Sequence, residues 1–140
     1  IDATGVGAGL ASFLEKALPG RVLPFVFTQK SKSDLGWRFL AIVETGRFKL
    51  PLRSSATLAE DERLWREFRH CQAQVLEGPG RVLRWGVPDG TRDPATGELV
   101  HDDLLISAAL CAVLDQQSWG LASSQVTAGI NLFDGMREVY

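Results

Sequence analysis

The stretch Glu98-Leu99-Val100-His101-Asp102-Asp103-Leu104-Leu105-Ile106-Ser107-Ala108-Ala109-Leu110 constrains this chain more than any other. A polar loop runs into two adjacent carboxylates, and these open a helix rich in Leu and Ala. A helix that is apolar on most sides has to be buried, so its polar entrance lies at the lip of a core. One Asp there is an ordinary cap: its side chain accepts a backbone N–H and its charge suits the helix dipole. Two in a row, directly after a His, bring like charges together, and a divalent cation is the usual relief of that repulsion. Two readings stay open at this point, a pair of capping acids on a solvated helix end and part of a cation site.

The remaining sequence alternates strand and helix patterns. Ile1-Asp2-Ala3-Thr4 reads as the end of a buried strand, and Gly5-Val6-Gly7-Ala8-Gly9 turns the chain into an apolar helix from Leu10 to about Leu18, closed by Pro19-Gly20. The glycines do not make a dinucleotide fingerprint, because Leu10 stands where the third Gly is needed, and no Gly-Lys-Ser/Thr phosphate loop occurs. Their expected use is steric, allowing close approach to Asp2. Arg21 to Phe27 reads as a strand in which Pro24 marks an edge or a bulge. A polar loop from Thr28 to Ser33 carries Lys30 and Lys32, and a helix follows from about Asp34 to Glu44. Leu35, Phe39, Leu40, Ile42 and Val43 supply its apolar side, and Thr45-Gly46 closes it.

Arg47 to Leu50 reads as a short strand, and Thr57 with Glu60 as a capping box for a helix from about Leu58 to Leu76. Leu64, Phe68, Cys71 and Val75 form the apolar stripe of that helix. Arg81 to Val87 alternates as a strand, Pro88 to Gly97 is a turn-rich loop, and the closing helix spans about Asp102 to Asp115. In the remaining tail, Leu132 and Phe133 are expected to pack back on the domain. The pattern as a whole is that of an α/β protein with helices around a sheet.

Size and charge narrow the function classes. A chain of 140 residues fits one domain and can bury a core without staples. No apolar run reaches the length that spans a bilayer, and no signal-sequence pattern is present. A net charge of −2 excludes wholesale electrostatic binding to nucleic acid, so any such contact rests on a local basic patch. Cys71 and Cys111 lack zinc-site spacing and read as small buried residues of a reducing compartment. The opening at Ile1-Asp2, without Met or a preceding turn, raises the expectation that the first strands of the sheet lie upstream.

Asp2 and the Asp102-Asp103 pair each sit where an element begins or ends beside a loop, and sites in open α/β sheets gather at such strand ends. Three carboxylates gathered there could hold Mg²⁺ or Mn²⁺ through oxygen ligands. Two such ions about 4 Å apart would activate a water and stabilise the leaving oxygen in phosphodiester cleavage. No nucleophile triad competes, since the two histidines are His70, read as a surface residue, and His101, a candidate to orient a carboxylate or shuttle a proton.

A resemblance now enters on specific residues. Asp2-Ala3-Thr4-Gly5-Val6-Gly7, Phe27-Thr28 with Lys32-Ser33, Glu44-Thr45-Gly46-Arg47, Gly90, and His101-Asp102-Asp103 with Ser107-Ala108-Ala109-Leu110 resemble, in order and approximate spacing, the large terminase subunit of tailed bacteriophages. The resemblance runs to about Leu114. It implies a C-terminal nuclease domain of ribonuclease H-like fold, a mixed sheet flanked by helices, that cuts concatemeric double-stranded viral DNA during packaging. It implies residues 1–118 as a partial nuclease domain lacking its opening strands, and residues 119–140 as a tail packing on it. Asp2, Asp102 and Asp103 would be the catalytic and metal-binding residues of a two-metal Mg²⁺ or Mn²⁺ site, with a first acidic ligand on a strand ahead of Ile1.

The implied partners are DNA, an ATPase motor domain, the portal and the small terminase subunit, in the cytoplasm of the infected bacterial host and without membrane contact. Lys32 stands where the family usually has Lys. Lys30, Lys32, Arg84 and Arg92, and also Arg81, are candidates for DNA phosphate contact, with solvated loop charges as the alternative. Competing readings are a catalytically inactive DNA-binding or docking module of the same fold, and a resolvase- or transposase-like nuclease.

Overall fold

A computed structural model describes residues 1–50 and 58–118. Among these the architecture is mixed α/β. The elements run α1 (Gly7–Ala17), α2 (Gln29–Glu44), α3 (Leu58–His70), β1 (Gln72–Val75), β2 (Leu83–Gly86), α4 (Asp103–Leu110) and a 3-10 helix (Cys111–Gln116). β1 and β2 form an antiparallel pair in the register Gln72 to Gly86 and Val75 to Leu83. No helix among the described residues is long and apolar enough to cross a membrane. The expected Thr57–Glu60 capping box and the packing of Leu132 and Phe133 lie outside the described residues.

The first strand pairing is shorter than its sequence pattern. Asp2 bridges Phe25 in parallel, with Phe25 N–H donating to Ile1 O and Ala3 N–H to Phe25 O, both at 2.8 Å. Around Phe25 the rest of the expected Arg21–Phe27 strand is extended chain without ladder partners, as Pro24 allows, since it has no N–H to give. α1 starts at Gly7, three residues before the expected Leu10. Gly7 is obligatory there, because a Cβ at this position would stand 2.6 Å from the Asp2 carbonyl oxygen. The glycine cluster therefore does admit a close approach to Asp2, of the helix's own first turn against its backbone.

α2 also begins earlier than expected, at Gln29, so Lys30 and Lys32 lie on a helix and not in a loop. The cause is a reciprocal capping box: Ser31 N–H donates to Thr28 Oγ1 at 3.0 Å, and Thr28 N–H to Ser31 Oγ at 2.7 Å. Of the expected apolar side, Leu35 and Phe39 are buried, whereas Leu40 and Val43 are exposed. Thr45 and Gly46 end the helix as expected, with Gly46 at φ +68°. Arg47 to Leu50 is not a strand. Arg47 and Phe48 N–H both turn back to Ile42 O, which folds Phe48 onto Phe39 and Phe68.

The helix expected to reach Leu76 stops at His70, and Gln72–Val75 is a strand. Nothing in Gln72-Ala73-Gln74-Val75 breaks a helix. The strand is imposed by its partner across the Gly78-Pro79-Gly80 turn, where Gly78 takes φ +137°. β2 alternates as its sequence indicates, with Leu83 and Trp85 buried and Arg84 exposed. The closing helix is α-helical only to Leu110 and tightens into the 3-10 turn. Cys71 is half-buried and Cys111 exposed, so the expectation of two buried cysteines fails for Cys111, which falls on the outer side of that turn.

The core is one cluster: Leu35 and Phe39 from α2, Leu83 and Trp85 from β2, Leu105 and Ala109 from α4, and Ala112. Full burial of a Leu such as Leu35 or Leu105 contributes roughly 1.5–3 kcal/mol. The β1–β2 hairpin is fastened to α2 by three bonds besides packing. Leu83 N–H donates to Ser33 Oγ at 2.9 Å, Trp85 Nε1–H to Lys32 O at 2.7 Å and Trp37 Nε1–H to Arg81 O at 3.1 Å. The Trp85 indole lies directly on Gly36, whose missing Cβ would stand 2.5 Å from Trp85 Cδ1.

Gly36→Ala is therefore expected to destabilise the fold by about 1–3 kcal/mol through overpacking. Gly9→Ala, a helical position with nothing within 4 Å of the added methyl, is expected to be neutral or stabilising by up to about 1 kcal/mol. Paired thermal melts check this, and equal effects at the two sites would contradict the Trp85 contact.

Candidate acidic site

The three acidic candidates and one of the basic ones meet in space. Asp2, Asp102, Asp103 and Lys32 line one open cleft of about 430 Å³, together with Thr4, Phe27, Ile106, Ser107 and Leu110; of the two α2 lysines, only Lys32 is there. Asp2 arrives on the bridged strand, Lys32 on the first turns of α2, and the acidic pair at the start of α4. Ile106, Ser107 and Leu110 follow Asp103 at helical spacing and continue its face into the cleft.

Each carboxylate has a distinct environment. Asp2 Oδ1 accepts Thr4 N–H at 2.8 Å. The Thr4 hydroxyl first, and this N–H second, hold the Asp2 carboxyl below its ordinary value. The Thr4 Oγ1 in turn accepts Phe27 N–H at 2.8 Å, which ties the acid's support to the chain entering α2. Asp102 occupies the N-cap position of α4, yet its side chain caps nothing. It faces Lys32, with Nζ 3.6 Å from Oδ2, and closes over Gly86, where a Cβ would come within 2.5 Å of Oδ2. An ion pair this long between partly exposed groups is worth less than about 1 kcal/mol, too little to commit Asp102 to Lys32. Asp103 is exposed at the mouth of the cleft.

Other candidates are placed elsewhere. Lys30 turns away to Asp34, one helical turn on, at 2.8 Å. Arg84 projects into an adjoining polar groove of about 770 Å³, lined also by Gln29, Gln72, Gln74, Trp85 and Asp89, which shares Lys32 and Asp102 with the cleft. Arg92 is exposed and bonded within its own loop, to Gly97 O at 2.7 Å, and Arg81 stands at the hairpin turn with φ +41°. His101 is exposed, and His70 Nδ1–H donates to Arg66 O at 2.9 Å. Cys71, beside Gly86 and Asp102, is pushed up by burial and is a protonated thiol near neutral pH.

The residue the sequence reading passed over is Glu67. Its side chain is only 3 % exposed, and its Oε2 accepts Leu105 N–H at 2.8 Å. The signal is visible in retrospect, since Glu67 falls between Leu64 and Phe68 on the apolar stripe of α3, where a charge has to find a partner. A neighbouring ion-pair group fixes the loop before the acidic pair: Arg66 lies 2.9 Å from Glu98 and 3.9 Å from Asp93. Asp93 Oδ1 accepts Ala95 N–H at 2.8 Å, which holds its carboxyl below the ordinary range.

The oxygen donors of Asp2, Asp102 and Asp103 are of the kind that hard divalent cations take. Among the described residues, no three His, Cys, Asp or Glu side chains stand close enough together to hold a metal ion between them. Comparison with protein families, with curated proteins and with solved structures finds nothing that matches this chain.

Because the folded carboxyl of Asp2 titrates lower than the unfolded one, its contribution to stability is complete above its ordinary value of 3.8 and is lost as pH falls through the lower folded value. Thr4→Val removes the hydroxyl and is expected to raise the Asp2 value toward 3.8, read from the Asp2 carboxyl carbon shift in an NMR titration. An unmoved titration would contradict the Thr4 contact.

Proposed function

We propose that this chain is the nuclease portion of a large terminase subunit, of ribonuclease H-like fold, and hydrolyses phosphodiester bonds of double-stranded DNA in a Mg²⁺- or Mn²⁺-dependent reaction. The observation that carries this reading is the convergence of Asp2 with Asp102 and Asp103, from opposite ends of the described chain, in one cleft beside Lys32. The sequence resemblance supplies the substrate class, and the donor set supports the cation. Asp2, Asp102 and Asp103 would hold it. Bound there, a divalent ion supplies an activated water and neutralises charge on the scissile phosphate.

The chain's own residues account for the rest. Thr4 donates to Asp2 and favours its ionised form. The Asp102 carboxylate is turned from the α4 backbone toward the cleft. Lys32 offers a point charge to a phosphate oxygen, and its weak pairing with Asp102 leaves it free to exchange partners. Arg84, in the adjoining groove, would meet the backbone of the same strand further along. Besides its carboxylates and Lys32, the cleft is lined by small hydroxyl, aliphatic and aromatic groups with no Arg, Asn or Gln to read a base edge, so cleavage with little sequence preference is expected. By the same resemblance the partners are an ATPase motor, the portal and the small subunit, in the host cytoplasm.

Nicking of supercoiled plasmid tests this reading. The resemblance puts a further acidic ligand before Ile1, so the assay compares this chain with a version extended upstream by about 60 residues. The extended protein is expected to nick in Mn²⁺ and Mg²⁺. Asp102→Asn with Asp103→Asn should lower the rate by at least the roughly 100-fold that perturbing a metal ligand's support can cost, while Lys30→Ala should leave it unchanged. No metal-dependent cleavage by the folded extended protein would leave the DNA-binding or docking module as the reading. Preference for branched junctions would favour the resolvase- or transposase-like one.

A further inference from the structure

The entrance of α4 poses a physical problem. Its first backbone N–H groups need acceptors, and the side chain best placed to serve them is Asp102, which stands at the N-cap. An N-cap carboxylate ordinarily takes the N–H of the second or third helical residue from an extended backbone conformation. Here the backbone of Asp102 is at φ −116°, ψ 20°, and its side chain takes neither. The third residue is Leu105, and its N–H goes instead to Glu67 Oε2, brought in by α3. Glu67 is buried, and among the described residues no buried side-chain polar atom lacks a partner.

Placing an acid in the apolar stripe of α3 costs desolvation. A neutral core residue there would pack better, and Asp102 could have capped the helix. The cost has a local return: a cap delivered from a neighbouring helix leaves the Asp102 carboxylate facing Lys32 and the cleft.

We propose that Glu67 is a positioning residue for the acidic cleft: by capping α4 in place of Asp102, it keeps the Asp102 carboxylate available to a cation. The proposal rests on the cation-site reading above and deepens it. Without the Glu67 acceptor, Asp102 rotates into the vacant capping position and is withdrawn from the cleft. Glu67 has no contact with the cation. It acts through the conformation of Asp102.

The test is a double-mutant cycle on the full chain, read by melting temperature and by Mn²⁺ affinity. Asp102→Ala is expected to lower the melting temperature by about 5 °C more in a Glu67→Met background than alone, because only there is Asp102 the cap. Glu67→Met should weaken Mn²⁺ binding about tenfold. Glu67→Gln, which keeps an acceptor oxygen, should stay within about threefold of the parent. If the Met variant does not fold, Glu67→Asp, which draws the acceptor back by one methylene, takes its place in the cycle. Equal melting shifts in the two backgrounds would overturn the proposal, as would loss of Mn²⁺ affinity in Glu67→Gln, since a purely structural Glu67 gives additive effects. Absence of Mn²⁺ binding by the parent chain would instead overturn the cation-site reading, while the melting cycle still reports who caps α4.

Discussion

The contact between Trp85 and α2 is the constraint on which the rest of the structure depends. The indole lies flat where Gly36 has no side chain, and its N–H reaches Lys32 O one turn earlier. That one residue therefore sets both the depth of β2 against the helix and its position along it. Ser33 and Trp37, on the same face of α2, add bonds to Leu83 at the start of β2 and to Arg81 at the hairpin turn. Net hydrogen-bond contributions are about 1 kcal/mol each, so the packing of the indole outweighs its hydrogen bond in energy, while the bond fixes its orientation. The consequence for the site is direct. Gly86 follows Trp85, and Lys32 is the residue whose carbonyl the indole holds, so the same contact sets the two groups that flank Asp102.

The acidic cleft is the meeting of three such fixed elements. Asp2 is positioned by a short parallel pairing and by Thr4, Lys32 by α2, and the acidic pair by α4. Their charges are shared unevenly. Thr4 serves Asp2, Lys32 faces Asp102 without binding it closely, and Glu67 takes over the helix terminus. In this arrangement the backbone needs of α4 and the electrostatic needs of the cleft are met by different carboxylates. A helix entrance carrying two adjacent acids would otherwise satisfy one demand at the expense of the other.

Which residues share a cleft was more legible in the sequence than the fold around them. Asp2 and Asp102-Asp103 stood out because each lies at the end of a patterned element, and such ends converge in an α/β protein. Lys32 was marked by resemblance, but its place in a loop was wrong, since the Thr28–Ser31 box starts the helix five residues before its apolar periodicity shows. Gln72 to Val75 was misread because local propensity does not forbid helix there, and the decision is made by pairing with β2 across a Gly-Pro-Gly turn. Arg47 to Leu50 has an alternating pattern but pairs with no strand among the described residues, and it is spent on seating Phe48 instead. Glu67 went unread because a single acid on a charged helix looks solvated; only the packing of α3 on α4 reveals that it points inward.

The measurement that bears most directly on the central claim is paramagnetic broadening of backbone amide resonances by substoichiometric Mn²⁺. A cation held by the cleft is predicted to broaden Thr4, Asp102, Asp103 and Ile106 first, together with Asp2 and Lys32, and to spare the exposed acids Glu44, at the far end of α2, and Glu77, at the hairpin turn. Uniform broadening across all exposed acids, or broadening centred away from Asp2 and the Asp102-Asp103 pair, would contradict a cation site at this cleft.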